Sequence, residues 1–228
     1  MRPRNATRPA VAGALCFAIT CAGAQTASAQ TETPQPEPTG ARAAQEPRIA
    51  VGQRKLHVRA GKRTAVRGAV GPAVTGLTVS LQVKRAGRWK PIARDRTDAS
   101  GRYALRERLP RTGSTKVRVR VAGGPGVRAG KRVIGRLNVY RTAYASWYGP
   151  GLYGNPLACG GTLDGGTMGV AHKTLPCGTR VTLKRGGREV RVPVVDRGPF
   201  VGGREYDLTA ATAQRLGFTG HGPILTTR

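Results

Sequence analysis

The sequence is poor in aromatic and acidic residues. Aromatics make up 5% of its 228 residues, and 11 acidic residues stand against 39 lysines and arginines, which gives a formal net charge of +28. Glycine (33) and proline (16) are frequent instead, and this favours short strands with many turns over long helices. Such a charge implies an anionic environment or an arginine-biased genome, and composition alone does not separate the two.

The sequence also lacks an apolar run that could span a bilayer. The run Ala10–Ala24 has about 15 residues, whereas a transmembrane helix needs about 20. It follows three arginines and precedes Ala27-Ser28-Ala29, a pattern that predicts a signal peptide over residues 1–29. The alternative, a lipid anchor at Cys21, requires a leucine-rich box that Ala18-Ile19-Thr20 does not supply. We therefore expect soluble export, with no transmembrane segment.

Cysteines are few. Two of the four lie in the predicted signal peptide, which leaves Cys159 and Cys177. An even pair in an exported protein predicts a disulfide, which would close a loop of about 19 residues and contribute roughly 3 kcal/mol. The alternative, a metal or redox pair, is disfavoured because the sequence has no CxxC motif and no zinc-ligand cluster. No metal or other cofactor is expected.

Two segments precede the last third of the chain. Residues 30–47 contain four prolines and no apolar residue larger than alanine, which predicts an extended Pro-rich linker. Residues 48–140 contain runs of alternating apolar and polar residues, such as Leu77–Val83 and Lys116–Val121, separated by glycine-containing turns. The pattern predicts a basic β-sandwich that resembles bacterial immunoglobulin-like (Ig-like) modules.

Most of the positive charge lies in that predicted sandwich. Residues 48–140 hold 24 lysines and arginines against three acids. Arg118 and Arg120 alternate with valines, so a basic solvent-facing sheet surface is expected. That surface either binds anionic wall polymers or is a solvated face of a protein from a GC-rich genome. Nucleic acid would bind it as well, but export makes nucleic acid an unexpected physiological partner.

Residues 141–228 carry five motifs in a fixed order. They resemble the rare lipoprotein A family of septal-ring lytic transglycosylases (RlpA-like), which shares the double-psi β-barrel with expansins and barwin. The resemblance implies a six-stranded double-psi β-barrel with one short helix, which makes the whole chain mainly β. That helix is expected over residues 210–216, capped by Asp207 and ended by Gly217. The motifs are Ala145–Gly149, Ala158–Gly160, Val170–Thr179, Val194–Phe200 and Tyr206–Thr209.

The resemblance implies that Asp196 is the catalytic acid and base. A lytic transglycosylase needs one such group, which protonates the glycosidic oxygen and then takes the proton of the muramic acid 6-hydroxyl. Asp196 follows an apolar strand and precedes Arg-Gly-Pro, so partial desolvation could keep it protonated near neutral pH. The alternative is that it only ties the turn. His172 is the second catalytic candidate, expected to hydrogen-bond Asp196 or to help shuttle the proton, with a buried core role as its alternative.

Aromatic and basic residues near these motifs are candidates for binding glycan. Sugar rings present apolar C–H faces, so a cleft that binds them favours aromatic platforms, although some aromatics must form the core. Arg197 is expected either to hold a substrate carboxylate or to pair with Asp207 or Glu205. The predicted substrate-binding residues are Trp147, Tyr148, Arg197, Phe200 and Tyr206.

One position departs from the family pattern. Better-known members have a glutamate eleven residues before the histidine, where this chain has Gly161, while the nearby Asp164 aligns with a different family position. The first hypothesis is a lytic transglycosylase that acts on peptidoglycan glycan strands at the cell wall. The alternative is a non-catalytic wall-binding or wall-loosening protein of expansin or barwin type, and a weaker third possibility is a barwin-like binder of a protein or another anionic polymer.

Overall fold

The computed structural model describes residues 43–228, so the predicted signal peptide and residues 30–42 of the linker lie outside the described residues. The described part is mainly β, as predicted, with a single short helix. Its elements are β1 (Arg48–Lys55), β2 (His57–Arg59), β3 (Arg63–Gly71), β4 (Thr78–Arg85), β5 (Arg88–Arg96), β6 (Arg102–Arg108), β7 (Gly113–Val121), β8 (Gly130–Tyr148), β9 (Val170–Ala171), β10 (Arg180–Arg185), β11 (Arg188–Asp196), β12 (Tyr206–Thr209), α1 (Ala210–Leu216) and β13 (Gly222–Thr226).

Residues 48–140, here called the N-terminal module, form two groups of strands around one apolar core. Strands β1, β3 and β6 make a three-stranded sheet, while β5, β4, β7 and the first half of β8 follow one another in a second sheet. Alternation places one side of each strand inward, so that Val79, Leu81 and Val119 are fully buried. The Ig-like assignment of this module stays a prediction.

Residues 141–228, here called the barrel module, form a closed ring of six strands. The order is the second half of β8, then β13, β10, β11, β9 and β12, and β12 pairs back onto β8. The β8–β12 and β9–β11 pairs are parallel and the other four are antiparallel. A closed ring leaves no strand edge unpaired. This arrangement fits the predicted double-psi β-barrel.

The helix confirms one predicted end and corrects the other. Gly217 ends α1 in the left-handed conformation, with φ of 64°, where glycine pays no steric penalty. The N-cap is Thr209, whose side chain accepts a hydrogen bond from the backbone N–H of Thr212, so the expectation that Asp207 caps the helix is wrong. Asp207 lies two residues earlier, inside β12. Among residues 43–228, no helix combines the length and apolar character needed to cross a membrane.

The two modules share strand β8 and meet at Glu189, which lies near the start of β11. The Tyr140 hydroxyl donates to the Glu189 carboxylate, and the Asn138 side chain donates to Oε1 at 3.0 Å. His57 Nδ1 lies 2.6 Å from Oε2 of the same carboxylate. Because Asp196 ends the strand that Glu189 begins, this junction and the candidate active site lie at opposite ends of β11.

Candidate active site on the outer face of the barrel

A β-bulge determines where Asp196 points. Val190, Val192 and Val194 on β11 belong to the barrel core, so strict alternation would turn residue 196 inward as well. The pairing with β9 instead shifts between Val194, which faces Val170, and Asp196, which faces Ala171. Because β11 has one extra residue here, the residues after the bulge project to the side of the strand opposite to the one that alternation predicts. Asp196 therefore leaves the core face and reaches the outer face of the barrel.

A row of four residues crosses the outer face at this level. Asp196 pairs with Ala171, Ala171 with Asp207, and Asp207 with Ser146. Directly paired residues project to the same side of a sheet, and the neighbours of Asp207 along β12 lie in the core. The row therefore brings two carboxylates to one surface, with their backbones about two strand spacings, or roughly 10 Å, apart.

Asp196 also orders the backbone around it, in agreement with the alternative prediction that its side chain ties the turn. Its Oδ1 accepts hydrogen bonds from the backbone N–H of Ala158 at 3.0 Å and of Arg197 at 2.8 Å. The first of these bonds anchors the glycine-rich loop that precedes β9. The two interpretations of Asp196 are therefore compatible, because the same carboxylate orders the loop and lies on the outer face of the barrel.

The predicted disulfide is confirmed, since Cys159 is bonded to Cys177. It joins the loop held by Asp196 to the segment that follows His172. Arg197 supports that segment, donating to the carbonyl oxygens of Leu175 at 3.0 Å and His172 at 3.3 Å. Its guanidinium is therefore engaged with the backbone, and the expected pairing with Asp207 or Glu205 is wrong.

His172 contacts Asp196 through the backbone and not through its ring. The His172 N–H donates to the Asp196 carbonyl oxygen at 3.1 Å. Its Nδ1 accepts from the N–H groups of Thr174 and Leu175 at 3.1 and 3.0 Å, so the neutral ring carries its proton on Nε2. The expected side-chain hydrogen bond to Asp196 is therefore corrected. Burial lowers the pKa of His172, although the nearby Glu205 carboxylate opposes that shift.

Glu205 is the carboxylate nearest the imidazole. Its Oε1 lies 3.8 Å from His172 Nε2, and Arg141 donates to both of its oxygens. Burial alone would raise the pKa of Glu205, but the Arg141 guanidinium outweighs it and holds that pKa below the usual range. Glu205 is therefore a fixed negative charge beside His172. Arg141, the first residue of the barrel module, holds it in place.

Asp207 is a candidate site residue that the sequence analysis missed. Burial raises its pKa, and the negative charge of Asp196 adds to that effect, while Ser146 and Arg204 oppose it. Among the described residues, its Oδ1 is buried without a hydrogen-bond partner, and so are Ser146 Oγ and the Tyr148 hydroxyl. The sequence does signal this residue, because Asp207 is a charged residue inside a strand-like motif. Its predicted role as a helix cap obscured that signal.

The predicted aromatic residues lie in three different environments. Tyr148 is half-buried with its hydroxyl near both carboxylates, and burial followed by the charge of Asp196 raises its pKa. Trp147 is 39% exposed and lines a groove of about 360 Å³ beside α1. Phe200 is 82% exposed. Tyr206 is fully buried in the barrel core, where its hydroxyl meets Thr226, so its assignment to substrate binding is wrong.

Gly161 and Asp164 lie in the loop tied by the disulfide. Gly161 has a φ of +81° with open space around its Cα, so the backbone is one that glycine adopts far more readily than glutamate. Asp164 accepts hydrogen bonds from Thr167 Oγ1 and the Gly166 N–H within its own loop, at 2.8 and 2.9 Å. It is therefore a loop residue and does not replace the missing glutamate.

The closed ring and its two parallel pairs fit a small double-psi β-barrel domain. Residues 140–226 match the family model described as lytic transglycolase. That part of the chain is therefore similar to lytic transglycolase domains.

Curated relatives are similar to this chain over 80 to 100 residues. Proteins named probable endolytic peptidoglycan transglycosylase RlpA are 48% identical over 80 residues in Synechocystis and 40% identical over 100 residues in Aquifex aeolicus. The Neisseria meningitidis endolytic peptidoglycan transglycosylase RlpA is 42% identical over 99 residues. These matches cover 34%, 43% and 41% of this chain, and 25%, 44% and 41% of the relatives' own lengths. The chain thus spans less than half of each relative.

Proposed function

We propose that the barrel module is a peptidoglycan lytic transglycosylase that cleaves the MurNAc–GlcNAc bond and leaves a 1,6-anhydro product. The observation that carries this proposal is the bulge that turns Asp196 onto the outer face of a barrel whose family match is lytic transglycolase. The names of the matched relatives support the same substrate and reaction class.

The proposed reaction follows from the position of Asp196. A carboxyl group there can protonate the glycosidic oxygen, and the resulting carboxylate can accept the proton of the 6-hydroxyl as that oxygen closes onto C1. The leaving oxygen gains one proton and the hydroxyl loses one, so no water is consumed. Tyr148 lies beside the carboxylate, where its half-buried ring can contact the sugar. Phe200 is exposed in the loop after Asp196, and Trp147 lines the separate groove beside α1.

The remaining site residues act as positioning groups in this proposal. His172 holds the segment 172–175 through its two accepted N–H bonds and its own N–H donated to Asp196. Arg197 holds the same segment from the other side. Glu205 provides a negative charge beside His172, since its Oε1 lies 3.8 Å from Nε2.

The test is the product of the reaction on purified peptidoglycan, with and without its stem peptides. Wild-type protein should release anhydro-muropeptides detectable by mass analysis, and Asp196→Asn should lower the rate by about 10²–10⁴-fold. Asp164→Asn is the matched control, because Asp164 is an exposed carboxylate in a neighbouring loop. Retention of glycan without any product would exclude the enzyme and favour the expansin-type or barwin-type wall-binding alternative.

We further propose that the protein is exported and associated with the cell wall. In this proposal its N-terminal module is an Ig-like sandwich that binds anionic wall polymers. Support comes from the 24 basic residues against three acids in residues 48–140. Arg118 and Arg120 lie on the side opposite the buried valines of β7, and Arg118 stacks on Trp89 at 4.3 Å. Binding to wall sacculi with and without their anionic polymers tests this role, and equal retention on both would exclude it.

A further inference from the structure

Two carboxylates face the proposed substrate surface, and the single-acid reaction uses one of them. Asp196 and Asp207 both pair with Ala171, one on each side of β9. The residues on the same face between and beside them, Ala171 and Ser146, are small and buried, so no bulky side chain of this row separates the two carboxylates. Tyr148 lies one step further along β8 and feels the charge of both carboxylates.

The two carboxylates have different surroundings. Asp196 Oδ1 receives two backbone N–H groups, from Ala158 and Arg197, which stabilise negative charge by hydrogen bonding. Asp207 Oδ1 is buried and has no hydrogen-bond partner among the described residues. Burial and the neighbouring Asp196 both raise the pKa of Asp207. The two carboxylates therefore differ in hydrogen bonding and in burial, and a difference of this kind distinguishes the proton donor of a site from its proton acceptor.

We propose that Asp207 is a second catalytic carboxylate, which protonates the departing glycosidic oxygen and leaves Asp196 to accept the proton of the attacking hydroxyl. This inference rests on the proposed transglycosylase function and reassigns the first of its two proton transfers. The bond from C1 to the glycosidic oxygen breaks as the bond from C1 to O6 forms. Asp207 gives one proton and Asp196 gains one, so the enzyme is reset when a proton returns from Asp196 to Asp207 through the Tyr148 hydroxyl or solvent.

The backbones of Asp196 and Asp207 are about two strand spacings apart, a distance that suits two separate proton transfers. The glycosidic oxygen and the 6-hydroxyl are different atoms of the substrate, so two groups spread across the face can reach both without moving. Ordinary glycosidases that use two carboxylates to flank a reacting centre hold them between about 5 and 9.5 Å apart. Backbones roughly 10 Å apart on one face allow carboxyl groups within that range.

The experiment compares Asp207→Asn with Asp196→Asn on two substrates. One is the natural glycan strand, and the other is a GlcNAc–MurNAc disaccharide with 4-nitrophenol on the MurNAc C1, whose phenolate leaves without being protonated. Asp207→Asn should lose about 10²–10⁴-fold on the glycan and stay within about threefold of wild type on the aryl glycoside. Asp196→Asn should lose activity on both, because the attacking hydroxyl still needs a base.

The pH profile gives a second readout that a purely structural role would not change. Since an acid must be protonated to act, wild-type activity on the glycan should fall as pH rises through the pKa of Asp207. On the aryl glycoside this alkaline limb should be absent from wild type and Asp207→Asn alike, because that leaving group needs no proton. The melting temperature of Asp207→Asn at neutral pH should equal or exceed that of wild type, because the variant removes a buried carboxylate whose pKa is raised by folding.

One result would overturn the proposed function, and two others would overturn only the inference about Asp207. A wild-type protein that gives no anhydro product from either substrate overturns the proposed function itself. An active wild type with an Asp207→Asn variant that retains glycan activity within threefold overturns the inference alone. Equal losses on both substrates by a variant that melts like wild type also overturn it, and Asp207→Ser is measured in the same way in case the asparagine variant does not fold.

Discussion

The two modules of this chain differ in how their strands pair and in whether a disulfide links their loops. The N-terminal module uses long strands, nearly all antiparallel, and contains no cysteine. The barrel module closes six strands into a ring with two parallel pairs, and the Cys159–Cys177 bond ties its loops. Every candidate catalytic group lies in the barrel module, where regular alternation is interrupted. The comparison indicates that the barrel module adds a covalent bond between its loops to the order that its strands provide, whereas the N-terminal module depends on its strands alone.

The largest difference between the modules should appear when the disulfide is removed. The pair Cys159→Ala and Cys177→Ala should destabilise the barrel module by about 3 kcal/mol, because the unfolded chain is no longer held in a closed loop. The N-terminal module serves as an internal control. Calorimetry with hydrogen exchange of strands β4 and β10 resolves the two responses, and equal loss of protection in both would show that the modules unfold as one unit.

A smaller change should test the bulge that aims Asp196. A Cβ added to Gly169 would lie 2.3 Å from Val195 Cγ2, a contact that forces the neighbouring backbone to shift. Gly169→Ala should cost about 1–3 kcal/mol, as overpacking usually does, and should lower the proposed activity because Val195 precedes Asp196 in the bulge.

Gly187→Ala is the matched control, since a Cβ at Gly187 meets no atom within 4 Å. That variant should leave both the melting temperature and the rate of anhydro-product release near their wild-type values. If Gly169→Ala were as well tolerated as Gly187→Ala, the close packing of the loop on Val195 would not be what holds the bulge.

The regular parts of both modules could be predicted from the sequence. Alternation identified the strands around Leu81 and Val119, which are fully buried, and the turn residues identified the hairpin between β10 and β11. Gly217 was predicted as the helix end for the same local reason, since the left-handed conformation needs glycine. These features depend on residues that are close in sequence.

The arrangement of the site depended on contacts between residues that are far apart in sequence. The bulge at Asp196 exists only in relation to β9, so alternation within β11 predicts the wrong face. Asp207 was assigned to the helix cap because Asp and Thr both cap helices, and the sequence does not show that Thr209 takes that position. Tyr206 was assigned to the cleft because chain position alone does not reveal which side of a strand faces the barrel core.

The smallest effect concerns pH and again separates the modules. His172 must be neutral for Nδ1 to accept its two N–H bonds, and burial lowers its pKa below the usual 6.5 although Glu205 opposes this. A pKa that folding depresses contributes stability above the unfolded value, and this stability is lost as pH falls through the folded value. The melting temperature of the barrel module should therefore fall from pH 7 to pH 5 by an amount that His172→Asn removes, since the asparagine oxygen can accept the same bonds without titrating. Taking the difference between wild type and variant cancels the opposite trend expected from Asp207, and an identical pH dependence in both proteins would contradict the assigned role of the ring.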